Sequence, residues 1–461
     1  METRNFNPGR WFALACLLGL TFGLGGCGGG DGTTGTAAGT VASGGSGSGG
    51  SGSGSGGGSG GSGGGGSGGG NSLAQRALPA ILTSTSTKAV NYSPYRTAGG
   101  PNVGEIPTDA QISQDLTLLS NAGFTLLRLF DTDTAHANVL RVAAASFPNL
   151  KFQLGMYLQG IAPASQATCS NTANDTDVQN GIALANKYSN VVAVSVGNET
   201  SFFAAYMPIN CLKGYITTAK QGVTQPVTAD DDWSFYAGID GGTEVPDTLL
   251  PLLDYVSMHT YALSNWQTWT GSLSSSGTAT QRATNLMNGA LINSQSTYTQ
   301  VKNYVSAHGG AALPITIGEI GWKHTPTNPQ VASTNCLPTS SGGPGGGQIG
   351  AGNPVEGNGA VATCDGTGKN LVSVSGATAV AATPINAKWF YDLLNGWQSG
   401  GTGPQVIFWF EGTDEVWKGA DDGWGFWDSA RTPQLALCAT AGAPTTGCPA
   451  AGTYPGAGYY P

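Results

Sequence analysis

The stretch VVAVSVGNETSFF, Val191–Phe203, decides the architecture. Its first six residues are small and mostly β-branched, and they run without alternation, which suits a strand covered on both faces, as in a parallel sheet. The run then stops at Asn198 and Glu199, so a buried strand carries an amide and a carboxylate at its tip. A second segment, LPITIGEIGWKH (Leu313–His324), has the same design and ends in Glu319. Six further runs repeat it: KAVNYSPY from Lys88, FTLLRLFD from Phe124, KFQLGMYL from Lys151, PVTADDDW from Pro226, YVSMHTYAL from Tyr255 and QVIFWFEG from Gln405. Helix-period segments lie between most of them, such as DAQISQDLTLLSNAG with Ile112, Leu116 and Leu119 on one face and Gly123 as its stop. Strand and helix alternating eight times predict an α/β fold, a (β/α)8 barrel. An open doubly wound sheet is the alternative, but it needs a glycine-rich phosphate turn after an early strand, and none is present.

Polar residues gather at the C-terminal ends of these runs: Tyr92 and Tyr95, Arg128 and Asp131, Asn198 and Glu199, Asp230, His259 and Tyr261, Glu319 and Trp322, and Glu411. In a barrel that edge builds the active site. Any one of them is an ordinary strand terminus; their recurrence around the barrel is what points to a site.

The rest of the chain frames this domain. Of 461 residues only 10% are charged and 75 are glycine, many of them in one tract. A net charge of −9 without any Lys/Arg run excludes a nucleic-acid partner. Arg4, Arg10 and the apolar core WFALACLLGLTFGLGG read as an export signal over residues 1–26. It ends in LGGC, which resembles a bacterial lipobox with Cys27 as the lipidated residue, and so predicts an envelope protein, anchored in the outer membrane or extracellular. Residues 27–75 are mostly Gly, Ser and Thr and are expected to be a disordered tether. Residues 76–461 then form the catalytic domain. Its six cysteines predict disulfides, paired in sequence order as Cys169–Cys211, Cys336–Cys364 and Cys438–Cys448. The Gly/Pro/Ser/Thr-rich segment from Lys323 to about Thr383 reads as a long disulfide-pinned insertion after strand seven, forming a lip of the cleft.

Cleaving an acetal needs a proton for the leaving oxygen and an electron pair for the anomeric carbon, and two carboxyl groups supply both. Glu199 and Glu319 end strands four and seven, whose tips face each other across a closed barrel mouth. A serine-hydrolase reading fails for want of a GxSxG elbow. No CxxC or HxxxH spacing occurs, and Asp230–Asp232 lack EF-hand order, so no metal and no cofactor is expected. Trp322 and Trp424 are read as stacking platforms for sugar rings, and His259 as a cleft residue. A glucan-binding protein without turnover is the alternative from a different class.

VSVGNE followed by ITIGEIGW resembles glycoside hydrolase family 17, the β-1,3-glucanases and glucan transglycosylases of a retaining (β/α)8 clan. FEGTDEVWKGADDGWGFWD (Phe410–Asp428), NYSPYR and LLRLFDTD extend the resemblance over most of Lys88–Asp428. Lys323, Gly412–Thr413 and Val416 depart from the family's usual residues. The resemblance implies a monomeric retaining enzyme on β-1,3-glucan, with Glu199 as acid/base and Glu319 as nucleophile. It further implies sugar contacts from Tyr92, Arg128, Asp131, Asn198, Asp230, His259, Tyr261, Trp322, Glu411, Glu415 and Trp424, with Asn198 on the sugar 2-hydroxyl and Tyr261 holding Glu319 ionised.

Overall fold

The computed structural model describes residues 73–161, 165–201, 207–239, 245–263, 277–325, 361–364, 371–375, 382–438, 440 and 442–457. Seven strands follow in order: β1 (Ala89–Asn91), β2 (Leu126–Leu129), β3 (Lys151–Met156), β4 (Val191–Asn198), β5 (Val227–Asp232), β6 (Val256–His259) and β7 (Ile315–Ile320). An antiparallel hairpin intervenes, β8 (Val361–Cys364) with β9 (Leu371–Ser375), and β10 (Ile407–Trp409) completes the set. β10 pairs with both β7 and β1, so all eight parallel strands close into a barrel. Each of the eight apolar runs supplies one of its strands.

The helices cover the outside: α1 (Asp109–Asn121), α2 (Thr134–Ser146), α3 (Thr172–Lys187), α4 (Ile209–Gly222), the short α5 (Trp233–Tyr236), α6 (Ala279–Val305) and α7 (Pro384–Ser399). α1 starts where Thr108 and Gln111 cap each other's backbone N–H, and it buries Ile112, Leu116 and Leu119. α6 is longer than its apolar pattern foretells. That pattern is clear only from Thr297 onward, yet the helix begins at Ala279 behind a second capping box, Thr278 with Gln281.

The barrel interior is not purely apolar. Register sets Asn91 beside Arg128, Arg128 beside Gln153 and Asp230 beside Ser257, and all five side chains are buried. Each polar group placed inside therefore needs a partner, and the Arg128 guanidinium provides most of them. At the opposite end the barrel is closed by the segment before β1. Leu78, Ile81 and Leu82 pack on Ala89, Leu126, Ala193, Tyr255, Val406 and Phe408, residues at or near the strand starts. Arg76 ties this plug down, donating to the backbone oxygens of Gln225 (2.6 Å) and Lys220 (2.5 Å) while its own N–H donates to Asp254.

Two disulfides are in place, Cys169–Cys211 and Cys438–Cys448, paired as their order in the chain predicts. The first ties the loop after β3 to α4. Cys336, Cys27, the export signal, the glycine tether and most of the insertion after β7 lie outside the described residues.

Candidate active site

Glu199 follows β4 directly. Gly197 (φ 85°) and Glu199 (φ 50°) both take left-handed backbone angles, so the chain turns sharply as it leaves the sheet. The pairing of β4 with β5 shifts register between Ser195 and Asn198, and that of β6 with β7 shifts between Met258 and His259. Such bulges re-aim side chains at a barrel rim. Here they bring Glu199, His259 and Glu319 together: one donor atom from each lies within 4.8 Å of the other two. Nδ1 of His259 is 2.9 Å from Oε1 of Glu199 and 3.7 Å from Oε2 of Glu319.

The two carboxylates differ in setting. The Glu199 side chain keeps 21% of its exposure and Glu319 only 6%, so Glu199 is the one open to a leaving group and to water. Glu319 is clamped. Arg128 Nη1 donates to its Oε1 at 2.6 Å and the Tyr261 hydroxyl to its Oε2 at 2.6 Å. Burial alone would raise its pKa, but the charges of His259 and Arg128 and the Tyr261 hydrogen bond hold it below the ordinary carboxylate value. The His259 imidazole is pulled down by burial and lifted more strongly by Glu319 and Glu199, to about 9. These three side chains offer a cation its donor atoms, yet the guanidinium on Glu319 and a protonated imidazole between the carboxylates oppose one.

Arg128 joins the site to the barrel interior. Nε donates to Asp230 at 2.6 Å, Nη1 also to Asn91 at 2.9 Å, and Nη2 to the Asn198 Oδ1 at 2.6 Å. With its oxygen held, Asn198 has its amide nitrogen left to donate. Asp230 takes a further bond from Gln153, at 3.2 Å. Despite burial, the charges of Arg128 and His259 keep the Asp230 carboxyl below its usual range.

Several residues expected to touch sugar lie behind this surface. Arg128 and Asp230 are buried beneath the carboxylates, and the guanidinium's hydrogen bonds go to protein groups. Tyr92 donates to Asp115 of α1 and is wholly buried, so its hydroxyl faces the helix layer. Trp322 is buried 5.3 Å from Phe390 of α7, between barrel and helix. Trp424 is buried edge-on to Tyr261 (5.2 Å) and Phe410 (5.9 Å), and so buttresses the Tyr261 ring instead of offering a bare face. Glu411 and Glu415 share Lys418 in a buried ion cluster. There burial lifts Glu411 well above its ordinary pKa, while the Lys418 charge, against burial, keeps Glu415 low. Asp131 lies apart, on a recess of about 500 Å³ with Tyr157 and Asp177.

Two residues went unremarked in the sequence. Asn91 braces Arg128 and donates to the Gly318 oxygen at 3.0 Å; its signal was a single amide in an apolar strand. Phe130 is half-buried above the Arg128 guanidinium (4.8 Å) and 6.3 Å from Phe410, an aromatic surface at the mouth that the many tryptophans overshadowed.

Comparison with solved structures finds a family 17 β-1,3-glucanosyltransferase from Rhizomucor miehei, at 16% identity and a TM-score of 0.49, covering 78% of this chain and 99% of that one. An active-site mutant of the Rhizomucor miehei enzyme, in complex with laminaritriose, matches at 16% identity and 0.48 over the same shares. A β-glucuronidase from Ruminococcus gnavus matches at 12% and 0.47, covering 77% of this chain and 48% of that one. No curated protein matches the chain. The family model described as the BtgE/BtgC glycoside hydrolase domain matches residues 89–336, more than half of the chain and a span that holds both glutamates. The chain therefore belongs to the BtgE/BtgC glycoside hydrolase domain family.

Proposed function

We propose that the protein is a retaining glycoside hydrolase that acts on β-1,3-glucan, with Glu199 as acid/base and Glu319 as nucleophile. The observation that carries this is the close carboxylate pair: donor atoms of Glu199 and Glu319 within 4.8 Å of each other, one clamped and one accessible. Retaining enzymes hold their carboxyl groups about 5–5.5 Å apart, whereas inverting ones leave about 6.5–9.5 Å for a water between them. In the first step Glu199 protonates the glycosidic oxygen as a Glu319 oxygen attacks the anomeric carbon, and the bond to the leaving sugar breaks. In the second, Glu199 takes a proton from water or from an acceptor hydroxyl as that oxygen displaces Glu319. The Asn198 amide donates to the 2-hydroxyl in this reading, its oxygen being held by Arg128. The β-1,3 linkage is supported by the VGNE and E-x-G-W motifs. Export and lipid attachment at Cys27 complete the proposal and rest on the N-terminal sequence.

Laminarin-type oligosaccharides, followed by chromatography and by NMR of the anomeric protons, test the reading. Shorter products of retained β-configuration are expected, with longer ones if sugar acceptors compete with water. Inverted products would remove the nucleophile. Binding without turnover would leave a glucan-binding protein.

A further inference from the structure

His259 stands between the two carboxylates, and its environment fixes what it can do there. The ring is fully buried at the end of β6. It packs against a bare stretch of β7: a Cβ on Gly318 would come within 3.2 Å of the His259 Cδ2. Nδ1 faces carboxylate oxygens on two sides, Glu199 beyond β4 and Glu319 on β7. An unprotonated Nδ1 would set lone pair against lone pairs, so the proton belongs on that atom. Among the described residues the buried Nε2 has no partner, so the ring's hydrogen bonding there runs through Nδ1.

We infer that His259 is a positioning residue for this pair: its Nδ1–H holds Glu199, its charge draws Glu319 toward the same spacing, and that charge sets the pH above which the nucleophile works. This rests on the two-glutamate reading above. The charged groups around the ring are Glu199 beyond β4, Asp230 and Asp232 on β5, Glu319 on β7, and Arg128 on β2. The carboxylates outnumber Arg128, so an imidazolium is the form they favour, consistent with its lift to about 9. A cation facing Glu319 favours its ionisation. Activity requires Glu319 ionised, so the cation moves the acid limb of the pH profile to lower pH.

His259→Asn retains a donor and removes the charge. The acid limb of its kcat/KM profile should move to higher pH by about a unit, since an opposite charge within 4–6 Å typically shifts a carboxyl by one or more. Part of the rate lost at the wild-type optimum should return at higher pH. A bell that keeps its position while its height falls would mean a merely structural ring and would overturn the inference. A second measurement needs no turnover. The chain has four histidines, so the His259 imidazole can be assigned in NMR spectra by its absence from His259→Asn. Its midpoint should lie well above neutral and fall in both Glu199→Gln and Glu319→Gln. A midpoint near the ordinary value of about 6.5, indifferent to both substitutions, would overturn the inference even in an active enzyme. Absence of glucan turnover with a raised, responsive midpoint would instead sink the functional reading alone.

Discussion

Arg128 carries more of the site than either glutamate, because Asp230, Asn91, Glu319 and Asn198 all accept from its guanidinium. Arg128→Ala leaves two buried carboxylates without it, and removing one partner of a buried ion pair costs about 3–5 kcal/mol. Urea unfolding should show a loss of that size. Asp230 adds a pH dependence. Its pKa is depressed in the folded state, so its contribution is complete above the unfolded value of about 4 and is lost as pH falls through the lowered one. Stability should therefore decline in acid, and Asp230→Asn should flatten that decline. Tyr261→Phe removes a bond to an ionised carboxylate worth about 1.5–3 kcal/mol, a loss of roughly 10- to 100-fold in kcat/KM, with the acid limb moved to higher pH. Residue types at strand ends were legible in the sequence; side-chain direction was not. Tyr92 and Trp322 sit at the same edge as Tyr261, yet alternation from the inward-facing Asn91 and Glu319 turns them outward to the helices. That is tertiary information, absent from any single run.

Strands were the most legible elements because a parallel barrel needs continuous apolar runs, and all eight announced themselves that way. The start of α6 was not, since Thr284, Asn285, Asn288 and Gly289 dilute its first half into a weak period, and only the Thr278–Gln281 box marks it. β7 holds a tight local constraint. Gly318 lies between Ser257 and Asp230, with an added Cβ only 2.4 Å from the Ser257 hydroxyl. Gly318→Ala should thus push apart β6 and β7 where His259 meets Glu319, lowering activity more than thermal stability; comparing kcat/KM with Tm decides this. The Cys169–Cys211 bridge closes a loop of 42 residues in sequence separation, for which chain-entropy reasoning gives about 4 kcal/mol. Replacing both cysteines with alanine should lower the unfolding free energy by up to that amount.

At the scale of the molecule the barrel has two unlike ends. The carboxylates occupy one, and the plug formed by Arg76, Leu78, Ile81 and Leu82 seals the other. A chain beginning at Leu73 should melt at the same temperature as the full protein, whereas one beginning at Lys88 uncovers Leu126, Tyr255 and Phe408 and should melt several degrees lower, as calorimetry would show. The plug also sets the side from which the polypeptide reaches the barrel. The polypeptide enters at the sealed pole, so Arg76 and its neighbours stand at the back of the barrel, away from the carboxylates. A bulky ligand can therefore reach the open pole without crossing the point where the polypeptide enters.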